Sequence, residues 1–224
     1  MKPAWARRSC GMHLLYRCVL FMAWAYCKIF YRHRVYGDEH FFKGGALIAS
    51  NHTSFLDPVL LSISWPEEVH FLARETLFTT PGFGSFIRAL NAHPVSGSAG
   101  DVAVFRSILE LLEEGKKVIL FPEGTRAKED QLGTIKPGLG LLLSRGDAAV
   151  IPTYIHGAFS IWNRKRKLPK LWGKTACIFG SPIFYKSFIH LGKKEAQAAI
   201  ARKLSESILS LRTWYESGAH GTPP

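Results

Sequence analysis

Cysteine is scarce and unpaired in this sequence. Cys10, Cys18, Cys27 and Cys177 contain no CxxC spacing, and three of the four fall in one apolar N-terminal stretch. A secreted disulfide framework and a zinc knuckle are thereby excluded, which leaves small buried or lipid-facing hydrophobes. Also missing are a GxSxG nucleophile elbow and the HExxH or His-x-Glu spacing of a metal site. No internal repeat occurs. Acidic residues are few, with 17 Asp+Glu against 29 Lys+Arg for a net charge of +12, and none precedes Asp38. The partners to expect are therefore anionic: nucleic acid, acidic lipid or a phosphorylated small molecule. What remains is ordinary. Apolar residues are 47% and charged residues 21%, which excludes a disordered chain, a collagen and a coiled coil. At 224 residues the chain suits one large domain and needs no staple to hold a core.

Long hydrophobic runs are lacking too. The longest uninterrupted one, Cys18 to Cys27, is about half of the ~20 residues a membrane-spanning helix requires. No small-residue cleavage site follows Cys27, so no signal peptide is expected. At roughly 100° per residue, His13, Arg17, Lys28 and Arg32 fall within about a 100° arc shared with Phe21 and Trp24, and the rest of the circumference is apolar. Residues 1–36 are therefore expected to form a membrane-associated amphipathic segment lying in the interface. Trp5, Tyr16, Trp24, Tyr26 and Tyr31 would sit at headgroup level. The alternative is a helix packed on the domain's own core.

From Gly37 onward the pattern is globular. Strands are expected at 46–50, 69–73, 117–121 and 150–155. Helices are expected at 58–64, 101–114 (closed by Gly115), 139–143 and 193–215. Residues 79–86 read as a turn-rich linker, and 217–224 as a disordered tail. Strands alternating with helices imply one α/β domain over 37–216, a mostly parallel sheet flanked by helices. Sites in such sheets collect beyond the carboxyl ends of the strands.

Two unusual stretches lie at such ends. Asn51-His52-Thr53-Ser54-Phe55-Leu56-Asp57 follows the first strand, and Pro122-Glu123-Gly124-Thr125-Arg126 follows Phe121. On a continuous helix His52 and Asp57 would point about 140° apart, but a strand, a tight turn and a helix start can bring them together. Asp57 could then fix the tautomer of His52 and leave the other ring nitrogen as a general base. Alternatively Asp57 caps a helix and His52 is an ordinary loop residue. No nucleophile accompanies the pair, so a base here would activate a hydroxyl that the substrate brings. In the second stretch, Gly124 admits close backbone approach, Thr125 offers a hydroxyl and an amide, and Arg126 a fork suited to phosphate. A solvated turn with an exposed arginine is the alternative. The stretch has no Gly-Lys-Ser/Thr, so it is not a P-loop.

Asn51-His52-x4-Asp57 followed by Phe121-Pro122-Glu123-Gly124-Thr125-Arg126 resembles the glycerophospholipid acyltransferase family, the 1-acylglycerol-3-phosphate acyltransferases in particular. Ala73-Arg74-Glu75-x-Leu77 with Pro81-Gly82-Phe83-Gly84, Lys136-Pro137-Gly138, and Val150-Ile151-Pro152-Thr153 are similar to further family blocks. The resemblance spans residues 46–157. It implies that His52, oriented by Asp57, deprotonates a lysolipid hydroxyl attacking an acyl thioester. Glu123, Gly124, Thr125, Arg126 and Arg74 would hold the acceptor and its phosphate. It implies an acyl-CoA or acyl-carrier-protein thioester as donor substrate, with no cofactor and no metal. The acceptor is lysophosphatidate, or alternatively glycerol-3-phosphate or another lysophospholipid. In one respect the chain departs from the family. The second block usually ends in Asp-Arg, whereas His93-Pro94-Val95-Ser96-Gly97 carries no arginine, leaving Arg74 or Arg88 to compensate.

The basic run at 163–170, flanked by Trp162 and Trp172, admits nucleic acid, an anionic bilayer or plain solvation. No nucleic-acid-binding motif accompanies it, so no nucleic-acid partner is expected. The expected location is a membrane surface, on its cytoplasmic face.

Overall fold

The computed structural model describes residues 13–95, 102–136, 138–145 and 148–224. Helix α1 (Leu14–Phe30) is followed by β1 (Arg34–Tyr36), β2 (Ala46–Ser50), α2 (Asp57–Ser64), β3 (Val69–Arg74), α3 (Phe83–Ala89) and β4 (Ala92–Val95). Next come α4 (Val102–Glu113), β5 (Lys117–Leu120), α5 (Gly138–Leu143), β6 (Ala149–His156), α6 (Ala158–Trp162), β7 (Ala176–Phe179), β8 (Ile183–Phe184) and α7 (Lys193–Glu216). Among the described residues the strands form one sheet in the order β1-β7-β6-β2-β5-β3-β4, with β8 on β6. Only β7 and β8 run antiparallel to their neighbour β6. The fold is thus the expected mostly parallel α/β sheet.

Strand β2 lies between β5 and β6, and all five of its residues are buried. A continuous apolar run of this kind belongs to a strand covered on both faces. The two-residue period sorts its side chains. Ala46 and Ile48 join Leu60, Leu61 and Trp65 on one side; Leu47 and Ala49 meet Ile108, Leu112, Leu143 and Leu204 on the other. Helix α7 fills the second layer with Ala196, Ile200, Leu204, Ile208 and Leu211, spaced three and four apart.

Several sequence expectations are corrected. The linker at 79–86 contains the start of α3, and Glu75–Leu77 is a 3-10 turn. Gly84 is buried there because a Cβ would collide with the Phe78 carbonyl. The second helix begins at Asp57 rather than Pro58. The expected start of α4 at Asp101 lies outside the described residues. The tail read as disordered folds back on the body instead. Trp214 Nε1 donates to the His220 carbonyl at 2.9 Å, Pro223 is buried, and the Ser181 amide donates to the Pro224 carbonyl at 3.4 Å. Its two prolines leave little chain entropy to lose on docking.

Helix α1 carries two apolar stripes. Tyr16, Leu20 and Cys27 pack into the α2 layer, as does Tyr31 just beyond the helix. Tyr16 and Tyr31 are therefore core residues rather than headgroup anchors; the Tyr16 hydroxyl accepts the Val69 amide at 3.1 Å. Leu14, Leu15, Phe21, Met22 and Ile29 face solvent. Arg32 lies past the helix at φ 45° and leaves the expected cationic arc. Among the described residues no helix is long and apolar enough to cross a membrane. Residues 1–12 of the N-terminal segment lie outside the described residues.

His33 ties this helix to the sheet. It is buried, with Nδ1 2.9 Å from Thr175 Oγ1 and Nε2 2.9 Å from Ser64 Oγ. Burial pushes its pKa down to about 3, so the folded protein holds it neutral. The unfolded chain takes up that proton below about pH 6.5, so this contribution is full above 6.5 and is lost as pH falls toward 3. Urea unfolding should show that wild type loses about 1.6 kcal/mol more than His33→Gln between pH 6.5 and 5. Parallel pH dependence of the two proteins would contradict this.

Candidate active site

The parallel pairing of β2 with β5 sets Ala49 beside Leu120, so the chain leaves both strands at the same end of the sheet. Residues 51–57 and 121–126, some seventy positions apart, become neighbours there. Asn51 fixes the first turn. Its side chain donates to the Ile155 carbonyl at 3.1 Å and accepts the Ile155 amide at 2.8 Å, an extension of the ladder onto β6. The Ala127 amide donates to the His52 carbonyl at 2.8 Å and joins the two loops.

His52 and Asp57 meet as the spacing allows. His52 Nδ1 is 2.8 Å from Asp57 Oδ2, and the same oxygen accepts the amides of Thr53 and Ser54 at 2.7 Å each. Asp57 occupies the first helical position of α2, with Pro58 after it, and reaches back over the turn. The capping thus runs from Asp57 to the turn amides, whereas Ser54 Oγ donates to the Trp162 carbonyl at 2.8 Å and accepts the Leu56 amide. Asp57 has no exposed surface, and burial pushes its pKa up. The imidazole and the two amides oppose that shift. The His52 ring stacks on Phe121, centroids 3.9 Å apart and planes at 15°. With Nδ1 engaged, Nε2 is the nitrogen left for a substrate.

A cleft of about 930 Å³ opens in front of His52, lined among others by Arg74, Gly124, Thr125, Arg126 and Lys136. Gly124 sits at φ 75°, where a side chain would be strained and would meet the Lys136 ammonium. The Arg126 guanidinium lies over the Phe55 ring, its central carbon 3.5 Å from the ring centroid. Its pKa is held below the usual arginine range by burial and by the nearby charges of Arg74 and Arg164. Next to this cleft, and sharing Leu72, Leu120, Phe121, Gly124 and Lys136 with it, is a groove of about 550 Å³ that Phe105, Ile108, Leu139 and Leu142 make apolar.

Not every expected residue reaches the cleft. Glu123 is buried and its two oxygens are spent on backbone, Oε1 accepting the His52 amide at 2.8 Å and Oε2 the Gly133 amide at 2.9 Å. It braces the loops instead of holding an acceptor. Arg88 lies over the Phe78 ring at 4.7 Å on α3 and does not line the cleft. Residues 96–97, where the family arginine is missing, lie outside the described residues. Sequence reasoning left Phe55, Phe121 and Asn51 without roles, although all three stand inside the motifs it quoted. In the sequence Trp162 is only the flank of the basic run at 163–170, with nothing to mark it as a neighbour of the catalytic turn. Among the described residues no three His, Cys, Asp or Glu side chains are grouped as metal ligands would be.

Known proteins share this chain's sequence and fold. Residues 32–156 match the family model described as Acyltransferase. The chain belongs to the acyltransferase family. It is 31% identical to a 1-acyl-sn-glycerol-3-phosphate acyltransferase of Bacillus subtilis, over 80% of this chain and 87% of the relative. It is also 31% identical to a chloroplastic enzyme of the same description from Arabidopsis thaliana, over 62% of this chain and 40% of that one. The crystal structure of the 1-acyl-sn-glycerophosphate acyltransferase PlsC from Thermotoga maritima superposes with a TM-score of 0.69 at 22% identity. That match covers 88% of this chain and 81% of PlsC, and it establishes the shared fold.

Proposed function

We propose that the chain transfers a fatty acyl group from an acyl thioester to the sn-2 hydroxyl of 1-acyl-glycerol-3-phosphate and so makes phosphatidic acid. The observation that carries this reading is the His52–Asp57 contact facing a cleft lined by guanidiniums. His52 Nε2 takes the hydroxyl proton as the oxygen bonds to the thioester carbonyl carbon. The carbon–sulfur bond breaks, and the imidazolium returns its proton to the departing thiolate. Asp57 holds the ring and stabilises its charged form. Arg126 and Arg74 hold the phosphate, with Gly124 and Thr125 at the cleft wall, and the apolar groove takes the acyl chain. The donor is acyl-CoA or an acyl-carrier protein. A matrix of both donors against lysophosphatidate, glycerol-3-phosphate and lysophosphatidylglycerol, with products read by mass spectrometry, tests this. Phosphatidate should dominate; a preference for another acceptor by tenfold or more would contradict it.

The same reading places the enzyme on an anionic membrane surface, at its cytoplasmic face. The outer stripe of α1 supplies apolar contact. The loop at 163–172 adds exposed Leu168, Leu171 and Trp172 among Arg164, Lys165, Arg166, Lys167 and Lys170. The two surfaces are contiguous, since Trp172 packs on Phe30 at 4.8 Å and the Tyr31 hydroxyl donates to the Lys170 carbonyl at 3.0 Å. Removing α1 whole would strip Tyr16, Leu20 and Cys27 from the core, so point changes are the better probe. The triple change Phe21→Gln, Met22→Gln, Ile29→Gln should weaken vesicle flotation at least about tenfold, each buried apolar side chain contributing about 1.5–3 kcal/mol. Unchanged flotation at high salt would contradict the anchor role.

A further inference from the structure

Helix α3 and the turn before it carry an apolar face that nothing among the described residues covers. Leu77, Phe83 and Phe86 stand 42%, 45% and 42% exposed, and the two phenylalanines lie three apart on one side of the helix. The opposite side is fixed. Ile87 is buried, Gly84 sits against the Phe78 carbonyl, and Arg88 lies over the Phe78 ring. The Gly84 amide donates to the Thr80 carbonyl at 3.0 Å and so joins the helix to the preceding turn. That turn borders the cleft, for Arg74, Glu75, Thr76 and Thr79 line it and Leu77 stands among them. The apolar face therefore lies at the rim of the cleft that holds His52.

Helix α3 also belongs to the layer that holds α1. Leu90, just past its end, packs on the core cluster of Tyr16, Leu20 and Leu61. Glu68 ties the two helices together, Oε1 accepting the His13 amide at 2.9 Å and Oε2 the Asn91 side chain at 3.2 Å. The uncovered stripe of α1 thus starts beside α3, at Leu14 and Leu15, and runs to Ile29, next to the Phe30–Trp172 contact. The sheet order sets β3, which leads to α3, and β6, which leads to the 163–172 loop, on either side of β2 and β5 and their catalytic turns. Charge follows the same division. No Asp or Glu occurs in residues 1–37, 76–100 or 148–194, the stretches that contain α1, α3 and that loop. A continuous apolar surface free of carboxylates suits an anionic bilayer.

We propose that α3 is a membrane-docking element: Leu77, Phe83 and Phe86 enter the surface of an anionic bilayer and set the rim of the cleft against it. This rests on the lysophosphatidate reading above. A lysolipid that leaves the bilayer exposes its acyl chain to water, a penalty that grows with every CH₂. Contact at the rim removes that step, because the acceptor passes from the bilayer into the cleft directly.

Flotation of the full chain with phosphatidylcholine vesicles containing phosphatidylglycerol tests it. The double change Phe83→Gln, Phe86→Gln should weaken flotation about tenfold. Leu209→Gln, a similarly exposed position on α7 at the other face of the sheet, should float as wild type. Acyl transfer gives a second readout. In the double variant kcat/KM should fall about tenfold for lysophosphatidate carried in vesicles and change less than about twofold for a short-chain lysophosphatidate dissolved as monomers. Unchanged urea unfolding shows that the variant is folded. Flotation of the double variant equal to wild type would overturn the proposal, as would an equal loss in Leu209→Gln. A loss with both acceptors would overturn it by making α3 part of the catalytic site. A wild-type dimer that the double change breaks would overturn it by assigning the face to a second copy. Flotation lost as expected, with no phosphatidate formed by wild type, upholds the surface and refutes the function. Phosphatidate formation with unchanged flotation does the reverse.

Discussion

His52→Ala is expected to remove acyl transfer while leaving the protein folded. A positioned general base contributes about 10²–10⁴ in rate, and that factor should vanish from kcat. The fold should persist because His52 sits at the cleft, stacked on Phe121, with no place in the layered core. Asp57→Asn should cost a similar factor for a different reason. The carboxylate oxygen Oδ2 accepts three donors at once. An amide oxygen at that position can still take all three donors, but it is a weaker acceptor and carries no charge to stabilise the imidazolium that forms. The amide nitrogen would also fall where Asp57 Oδ1 is buried without a partner, and the base would lose the carboxylate that raises its affinity for the proton. Near-wild-type turnover in either variant, with native urea unfolding, would contradict the roles assigned.

Arg126→Lys should be damaging although the charge is kept. Lysine is a point donor and reproduces neither the planar fork on a phosphate nor the guanidinium's contact over the Phe55 ring. The expected loss in acceptor kcat/KM is roughly ten- to a hundredfold, the range for a hydrogen bond to a charged group. The KM of the thioester should hardly move, because the donor need not touch this side chain. Phe55→Leu, which removes the platform but not the guanidinium, should give a smaller loss in the same direction. Kinetics with acceptor and donor varied separately decide it. If only the donor's KM rises, Arg126 belongs to the thioester's site.

The layered α/β sheet and the two loops at its carboxyl end were legible because their signals are local. Ala46–Ser50 and Lys117–Leu120 are apolar runs bounded by turn residues, although their pairing as neighbours, with β3 and β4 between them in the chain, had no local signal. The His52–Asp57 contact was legible because strand, turn and helix start are consecutive in the chain. The brace formed by Glu123 was not, since nothing in Pro-Glu-Gly-Thr-Arg says whether that carboxylate points outward to a ligand or back to the His52 and Gly133 amides. The end of α6 beside the catalytic turn was hidden for a similar reason. Its place depends on Trp162 docking against Ser54 and Phe55, a contact across more than a hundred residues with no periodicity to announce it. Helix α1 was half legible. Its apolar residues cover both faces, so helical spacing alone could not say which stripe meets the core and which stays outside. The short elements α3, α6, β4 and β8 escaped because so few residues carry no usable period.

The central claim is that His52 acts on the acceptor's own hydroxyl and that no side chain of the protein is acylated on the way. Cys27 and Cys177 give no ready nucleophile, for burial pushes both thiols up to about 12. Thr125, by contrast, stands exposed in the cleft with His52. Rapid mixing of the enzyme with a labelled acyl thioester in the absence of acceptor tests the claim most directly. Direct transfer predicts no burst of free thiol and no acyl label on the denatured protein, with both thiol and phosphatidate appearing only once lysophosphatidate is added. A burst equal to the enzyme concentration, with the label retained on a side chain such as Thr125, would show a covalent intermediate and contradict it.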